Sequence, residues 1–520
     1  MLLIRASVYV GALAAVACAR RIAVIGAGAA GASAAYYAQA ELQARGLDPA
    51  EIHIFERSNR VGGRAHSSSV VYNNQTLHFE KGASMFIGKN QQLLDLAIRF
   101  NLSLCAHPCT FAHSNDFDMA ANGASSLGAY GVWEPTDNRW TVRMGSGPFL
   151  DSMRMLWRYR GTGDLNYVRR RTQAAVEEFV KSYDEFNNHT AGMYNTWDDY
   201  LKEKPLLRTS LYYHATEFYL SPGERIGRRF LDEVVSLATR VNYMQDVDRI
   251  NALGAHISMA AESDTAYSVA GGNWQIFANM ITSALAHLHL NTTVREIQRS
   301  AAGSDRPYSV SVLSSSGDEI TESFDLVIVA APLPLAGIRV LDGQHTELVA
   351  ADYIFMHVTF AIGILRDDLF PAGRDLPRLI VTPYHTTEPF NCMSILACLS
   401  KDSTQRCRDG PVLVKIFSHA PLELSQIFAS VEWHHEQKWH SYPRLEPRNA
   451  GYADDDEEEP ARFRLGRKSP PPIVLDRDGA ASGVFYVNGM ETLFSTMESQ
   501  TVAARHVVRL ALFGKNVHVG

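Results

Sequence analysis

An α/β fold is the prediction that the sequence supports, and three stretches near its start support it. The segment "RIAVIGAG" (residues 21–28) is an apolar run that ends in a glycine turn, the form expected of a buried parallel strand. An alanine-rich helix, "AAGASAAYYAQAELQARG" (29–46), follows and stops at Gly46. "EIHIFE" (51–56) then reads as a second strand, which completes a β-α-β unit.

Within that unit Gly26, Gly28 and Gly31 form G-x-G-x-x-G, with Ala30 inside the motif. The first glycine permits the turn, the second admits a pyrophosphate against the backbone, and the third lets helix pack on strand. Glu56 ends the second strand, where a carboxylate accepts ribose hydroxyls. A Rossmann-type dinucleotide domain is therefore expected. After Glu56 comes "RSNRVGGRAHS", in which Arg57, Gly62, Gly63 and Arg64 bring a second backbone turn and guanidinium groups toward the same ligand.

Composition narrows the function classes. The 520 residues allow two or three domains, and Lys plus Arg number 49 against 56 Asp plus Glu, a net charge of −7 with no dense basic stripe. Nucleic acid is not an expected partner. Residues 1–19, "MLLIRASVYVGALAAVACA", have the charge, short apolar run and small-x-small ending of a signal peptide. No later apolar run is long enough to span a membrane, since "DLVIVAAPLPLAGI" is interrupted by Pro332 and Pro334. Five cysteines follow the leader (Cys105, Cys109, Cys392, Cys398 and Cys407), so at least one is free or intermolecular. Sequons at Asn74, Asn101, Asn188 and Asn291 agree with a secreted glycoprotein. No metal site is expected: "EWHHEQKWH" nearly imitates a metalloprotease helix, but Trp439 stands where the second His belongs. No G-x-S-x-G supplies a serine nucleophile either.

The double glycine with Arg64 resembles the motif that follows the ribose-binding acid in the FAD-dependent amine-oxidase superfamily, which favours FAD over NAD. "HFEKGASMF", with Gly82, Ala83 and Ser84, is similar to the next cofactor segment of those enzymes. "HLNTTVREIQ" looks like the strand whose Val294 meets the adenine. Near the end, "GVFYVNGMETLFSTMESQTVAARHVVRLAL" reads as strand, Gly489 turn, polar loop and amphipathic helix, placing Met490, Glu491 and Met497 in the cofactor set. A helix start there directs N–H groups at developing negative charge on the flavin.

These pieces are scattered, so the FAD domain is expected to be discontinuous: residues 20–96, 236–334 and 473–520. An α+β substrate domain is inserted at 97–235 and 335–465. The first insert carries Val176, Phe179, Val180 and Tyr183 at helical spacing, a stripe expected to be core. "GYADDDEEEPARFRLGRKSPPP", about 451–472, is expected to be an exposed disordered loop.

Over nearly all of the chain after the leader the sequence resembles the prenylcysteine oxidase, or prenylcysteine lyase, family of that superfamily. The more specific segments are "VSLATRVNYMQDVDRINALGAHISMA", "YSVAGGNWQIF", "VKIFSHAPLELSQIF" and "KWHSYPRLEP". The resemblance implies noncovalent FAD and oxidation of a thioether: S-farnesyl- or S-geranylgeranylcysteine, O2 and water give prenyl aldehyde, cysteine and H2O2. It also implies the secretory pathway, in a lysosome or vacuole or outside the cell. No catalytic acid or base is singled out; the pocket wall is sought along Arg240, Tyr243, Met244, Gly271, Gly272, Asn273 and Trp274, with Arg240 toward the substrate carboxylate. Alternatives are a flavin oxidase of polyamines or L-amino acids, a related thioether oxidase of specialised metabolism, and a noncatalytic protein that keeps its nucleotide for stability.

Overall fold

A computed structural model of the chain describes residues 20–106, 130–145, 148–187, 193–221, 226–263, 265–341, 351–371, 376–383, 390–400, 406–448, 470–478 and 482–514. The leader, Cys109, Asn188 and most of the acidic run lie outside these residues. At the end of that run Pro470 and Pro471 are buried, so the expected exposed loop does not extend to residue 472.

The chain opens with strand β1 (Arg21–Ile25), helix α1 (Ala29–Ala44) and strand β2 (Glu51–Phe55). Both strands are buried on consecutive residues, β1 through Ile22–Ile25 and β2 with His53 among its apolar residues, because a parallel sheet is covered on both faces. They sit in a six-stranded sheet ordered His287–His289, β2, β1, Leu326–Val329, Gly483–Tyr486 and Val474–Arg477. The first five are parallel, and Val474–Arg477 is antiparallel. Every strand of this sheet comes from residues 20–96, 236–334 or 473–520. A second sheet has seven strands, ordered Phe428–Pro443, Tyr353–Leu365, Val412–Ser418, Cys392–Cys398, Leu379–Val381, Tyr130–Glu134 and Arg139–Arg143. "EWHHEQKWH" is strand in this sheet, not helix, so its histidines alternate between faces.

Helices α2 (Gln91–Arg99), α3 (Pro148–Arg158) and α4 (Gly163–Asn187) follow in chain order. The last helix, Met497–Phe513, packs against α1, α2, α4 and the strand Gly483–Tyr486. It is buried on nearly every side, where an amphipathic helix was expected. Its polar side chains are kept inside because they have partners: Glu498 accepts the N–H groups of Gln92 and Leu93 at the start of α2, at 2.9 and 3.0 Å, and the Tyr183 hydroxyl at 2.6 Å.

Cys398 and Cys407 form a disulfide, Cys105 is also disulfide-bonded, and Cys392 is a buried free thiol whose pKa burial pushes up to about 12. Asn74, Asn101 and Asn291 are exposed.

Burial pushes the Glu498 carboxyl up to about 7 from an ordinary 4.5, against its hydrogen bonds to Tyr183, Gln92 and Leu93. The folded state therefore holds the proton more tightly than the unfolded chain. The stability this supplies is complete below about pH 4.5 and is lost as pH rises through about 7. Melting temperature measured across this window falls in the wild type, and Glu498→Gln, which has no proton to lose, flattens that fall.

Candidate active site

Two glycine turns meet back to back beside the carboxyl end of β1. Gly26 has φ +105°, and a Cβ there would lie 2.9 Å from the Ala330 carbonyl oxygen, so the turn admits only glycine. Gly28 caps α1, and a Cβ added to Gly63 would lie 3.1 Å from the Gly28 Cα; the Gly62 N–H donates to the Ala27 carbonyl at 2.9 Å. Gly31 packs beneath the Gly26 carbonyl, in the helix-on-strand role, and does not line the cleft. Glu56 is held by the N–H groups of Ala27 (2.9 Å) and Ser58 (2.8 Å), one on each oxygen, which leaves acceptor capacity on both.

Cations surround these turns. Arg57 is exposed and donates to the Leu335 carbonyl. Arg60 and Lys81 also line the cleft and form no ion pair among the described residues; the Arg60 Nη1 is buried without a hydrogen-bond partner. Burial pulls both pKa values down, with Glu56 opposing this for Arg60 and Arg60 adding to it for Lys81. Desolvated cations beside a helix N-terminus and an open ribose acceptor fit a dinucleotide diphosphate.

Arg64 also lines the cavity, but with a carboxylate partner. It forms an ion pair with Glu491, which is fully buried, and donates to the Ser441 carbonyl at 2.7 Å. Burial opposes the Arg64 charge, yet the Glu491 carboxylate holds the guanidinium above its ordinary range. Tyr353 (3.3 Å), Asn488 (3.2 Å) and Ser495 (3.0 Å) also donate to Glu491.

One cavity of about 3030 Å³ runs from the glycine turns along Gly82, Ala83, Ser84 and Val294 to Ser495, Thr496 and Met497 at the start of the last helix. It continues into a region walled by Val176, Phe179 and Val180 of α4, with Ile257 and Phe494. The α4 stripe, expected to be core alone, thus faces the cavity, including Tyr183. Such a volume exceeds the several hundred Å³ of an ordinary ligand pocket and accommodates a dinucleotide with a second ligand.

The prenylcysteine lyase family matches residues 145–453, more than half of the sequence, and an NAD(P)-binding Rossmann-like domain matches residues 24–100. The chain belongs to the prenylcysteine lyase family. Farnesylcysteine lyase of Arabidopsis thaliana is 27% identical over 94% of this chain and 88% of that protein. Prenylcysteine oxidase 1 of Homo sapiens is 25% identical, covering 96% and 90%. Solved structures of similar fold include a putrescine oxidase bound to putrescine (TM-score 0.52, 13% identity, 95% of this chain and 98% of that chain). A CLA-producing fatty acid isomerase from P. acnes is another (TM-score 0.53, 15% identity, 94% and 97%). At these identities the structural likeness is one of fold.

For this prenylcysteine lyase family member the cofactor is FAD, and the glycine turns, Glu56, Arg60, Lys81 and the helix start at Thr496 are the groups that fit it. The expected pocket residues divide. Tyr243, Gly271 and Gly272 line the cavity, and the Tyr243 hydroxyl donates to the Ser495 carbonyl at 3.1 Å. Arg240 does not line it: the guanidinium is buried, ion-paired with Asp246 at 2.6 Å and bonded to Thr382 at 2.9 Å, so it has no free face for a substrate. Asn273 is fully buried behind the wall, where its amide donates to the Ala83 carbonyl at 3.0 Å and fixes the 82–84 segment. Trp274 and Met244 also lie outside the lining. Gly489 and Met490 are core: a Cβ on Gly489 would lie 2.6 Å from the Trp197 indole nitrogen.

Two lining cations of the inserted sheet went unread in the sequence. Lys415 on Val412–Ser418 donates to the Glu80 carbonyl at 2.8 Å, and burial brings its pKa down to about 8 against the opposing influence of Glu80 and Cys392. Arg378 lines the cavity and makes no side-chain hydrogen bond or ion pair among the described residues; burial lowers its pKa. The only signal for Lys415 was its place inside "VKIFS"; Arg378 had none.

Removing one member of the Arg64–Glu491 pair strands a buried charge. Arg64→Met is expected to destabilise the chain by about 3 kcal/mol in denaturant unfolding, and Arg64→Met with Glu491→Leu is expected to recover most of that loss.

Proposed function

We propose that this chain is an FAD-dependent thioether oxidase that converts an S-prenyl-L-cysteine, O2 and water into prenyl aldehyde, cysteine and H2O2. The observation that carries the reading is the single cavity in which the dinucleotide cleft opens onto an apolar wall and a guanidinium with no ion pair among the described residues. Membership of the prenylcysteine lyase family supports the substrate class. Bound FAD supplies hydride acceptance and the reduction of oxygen.

The chain's own residues provide position and dryness. Val176, Phe179 and Val180 offer an isoprenoid tail an apolar surface and exclude water from it. Arg378, in place of Arg240, meets the α-carboxylate, since it is a cavity guanidinium away from the glycine turns that forms no ion pair among the described residues. Tyr243 and the start of the last helix close the wall at Ser495 and Thr496. Holding both ends of the substrate aligns the carbon between sulfur and alkene, which is the main task when the cofactor carries the hard chemistry. A secretory compartment, lysosomal or extracellular, is part of the proposal, and the Cys398–Cys407 disulfide supports it.

Purified holoenzyme mixed anaerobically with farnesylcysteine is expected to lose its flavin absorbance. Air then restores the bands with release of peroxide and farnesal. Bleaching by spermine or an L-amino acid, with no response to farnesylcysteine, replaces this reading with an amine oxidase. Arg378→Gln is expected to raise KM for farnesylcysteine about tenfold or more with little change in kcat, and to leave KM for the methyl ester of farnesylcysteine unaltered.

A further inference from the structure

Helix α3 is mounted inside out. Its charged residues point into the protein: Arg158 makes a two-pronged pair with Glu233 at 2.6 and 2.7 Å, Arg154 donates to the Arg143 carbonyl at 3.2 Å, and Asp151 accepts the Gly145 N–H at 2.7 Å. The opposite face is apolar and uncovered by the described residues. Trp157 is 87% exposed, Phe149 76%, Leu150 and Met153 51% each, and Leu156 41%. Residues 149, 153, 156 and 157 recur at the spacing of one helix face, so this is a continuous patch and not a scatter of single exposed side chains.

A surface helix of a soluble protein buries its apolar stripe and shows its charges. Here the Arg158–Glu233 pair holds the reverse orientation, and no described residue covers the apolar face. The surroundings indicate what does. Between residues 139 and 171 there are eight arginines and two aspartates; Arg154 and Arg158 are turned inward, while Arg139, Arg160 and Arg170 are exposed, in a chain whose net charge is −7. A tryptophan and a phenylalanine on an apolar face, flanked by arginines, match an anionic lipid surface, with rings among the acyl chains and guanidinium groups at the headgroups. At 11 residues α3 is too short to cross a bilayer, and no described helix does so. Its inner side borders the large cavity through Asp151, Ser152 and Met155.

We infer that α3 is an interfacial docking helix that seats this protein on an anionic lipid bilayer, with its apolar face in the membrane and the cavity beside the point of contact. A prenylated substrate then enters from the lipid, in which its tail dissolves, without crossing water. Entry of that substrate rests on the function proposed above; docking itself does not.

The test is flotation of the holoenzyme with vesicles of phosphatidylcholine containing phosphatidylserine, and with phosphatidylcholine alone. The wild type is expected to float with the anionic vesicles and much less with the neutral ones. Met153→Glu with Trp157→Glu is expected to lower vesicle partitioning about tenfold or more, while flavin absorbance and turnover of dissolved farnesylcysteine stay unchanged. Phe149→Ser with Leu150→Ser tests the same face should the first variant fold poorly. Equal flotation of wild type and variants overturns the proposal, as does a wild type that floats with neither vesicle. A wild-type dimer that the substitutions dissociate also overturns it, by assigning the face to a second copy. Flotation with no bleaching by farnesylcysteine leaves the docking intact and removes only the substrate.

Discussion

The ion pair between Arg64 and Glu491 joins parts of the chain that share no local sequence. Arg64 follows the second glycine turn, Glu491 lies in the C-terminal segment, Ser441 and Tyr353 come from the seven-stranded sheet, and all four meet at one point. An uncompensated carboxylate at Glu491 would be prohibitive in that interior, so the pair forms only when the glycine turns, the inserted sheet and the last helix have taken their relative places. Cofactor cleft and substrate wall are thereby made parts of one cavity.

The division of labour in that cavity follows from chemistry. Backbone does the close work near the diphosphate, since a Cβ on Gly63 would already crowd the Gly28 Cα at 3.1 Å. Charge is kept where a ligand supplies the counter-charge: among the described residues Arg60 and Lys81 near the turns, and Arg378, form no ion pair. Arg64, which also lines the cavity, and Arg240, which does not, have carboxylates of their own.

Sequence showed the glycine turns and Glu56 because the constraint on them is local: a turn at φ +105° and a strand end leave their marks in a few adjacent letters. The α/β class was legible for the same reason. Arg240 was misread because a guanidinium in a helix looks alike whether it faces a ligand or Asp246. The stripe Val176, Phe179, Val180 and Tyr183 was half read, since apolar periodicity reports burial and does not distinguish a core from a dry cavity. Arg60, Lys81 and Arg378 escaped because tertiary packing removes their counter-charges, and sequence spacing does not encode that. The strand bearing "EWHHEQKWH" shows the same limit for secondary structure: its pairing with Tyr353–Leu365 decides it.

The order of the parallel sheet bears on how the chain matures. Strand Leu326–Val329 lies beside β1 and takes its other neighbour from Gly483–Tyr486, so residues 330–482 intervene before that edge is covered. A ribosome delivers the chain from its N-terminus, and through that interval the growing polypeptide carries an apolar strand with its hydrogen-bonding edge open. The helix that roofs the cleft, Met497–Phe513, emerges later still. Assembly of the flavin site therefore waits for the C-terminal segment, and the edge of a central strand must stay protected until that segment arrives.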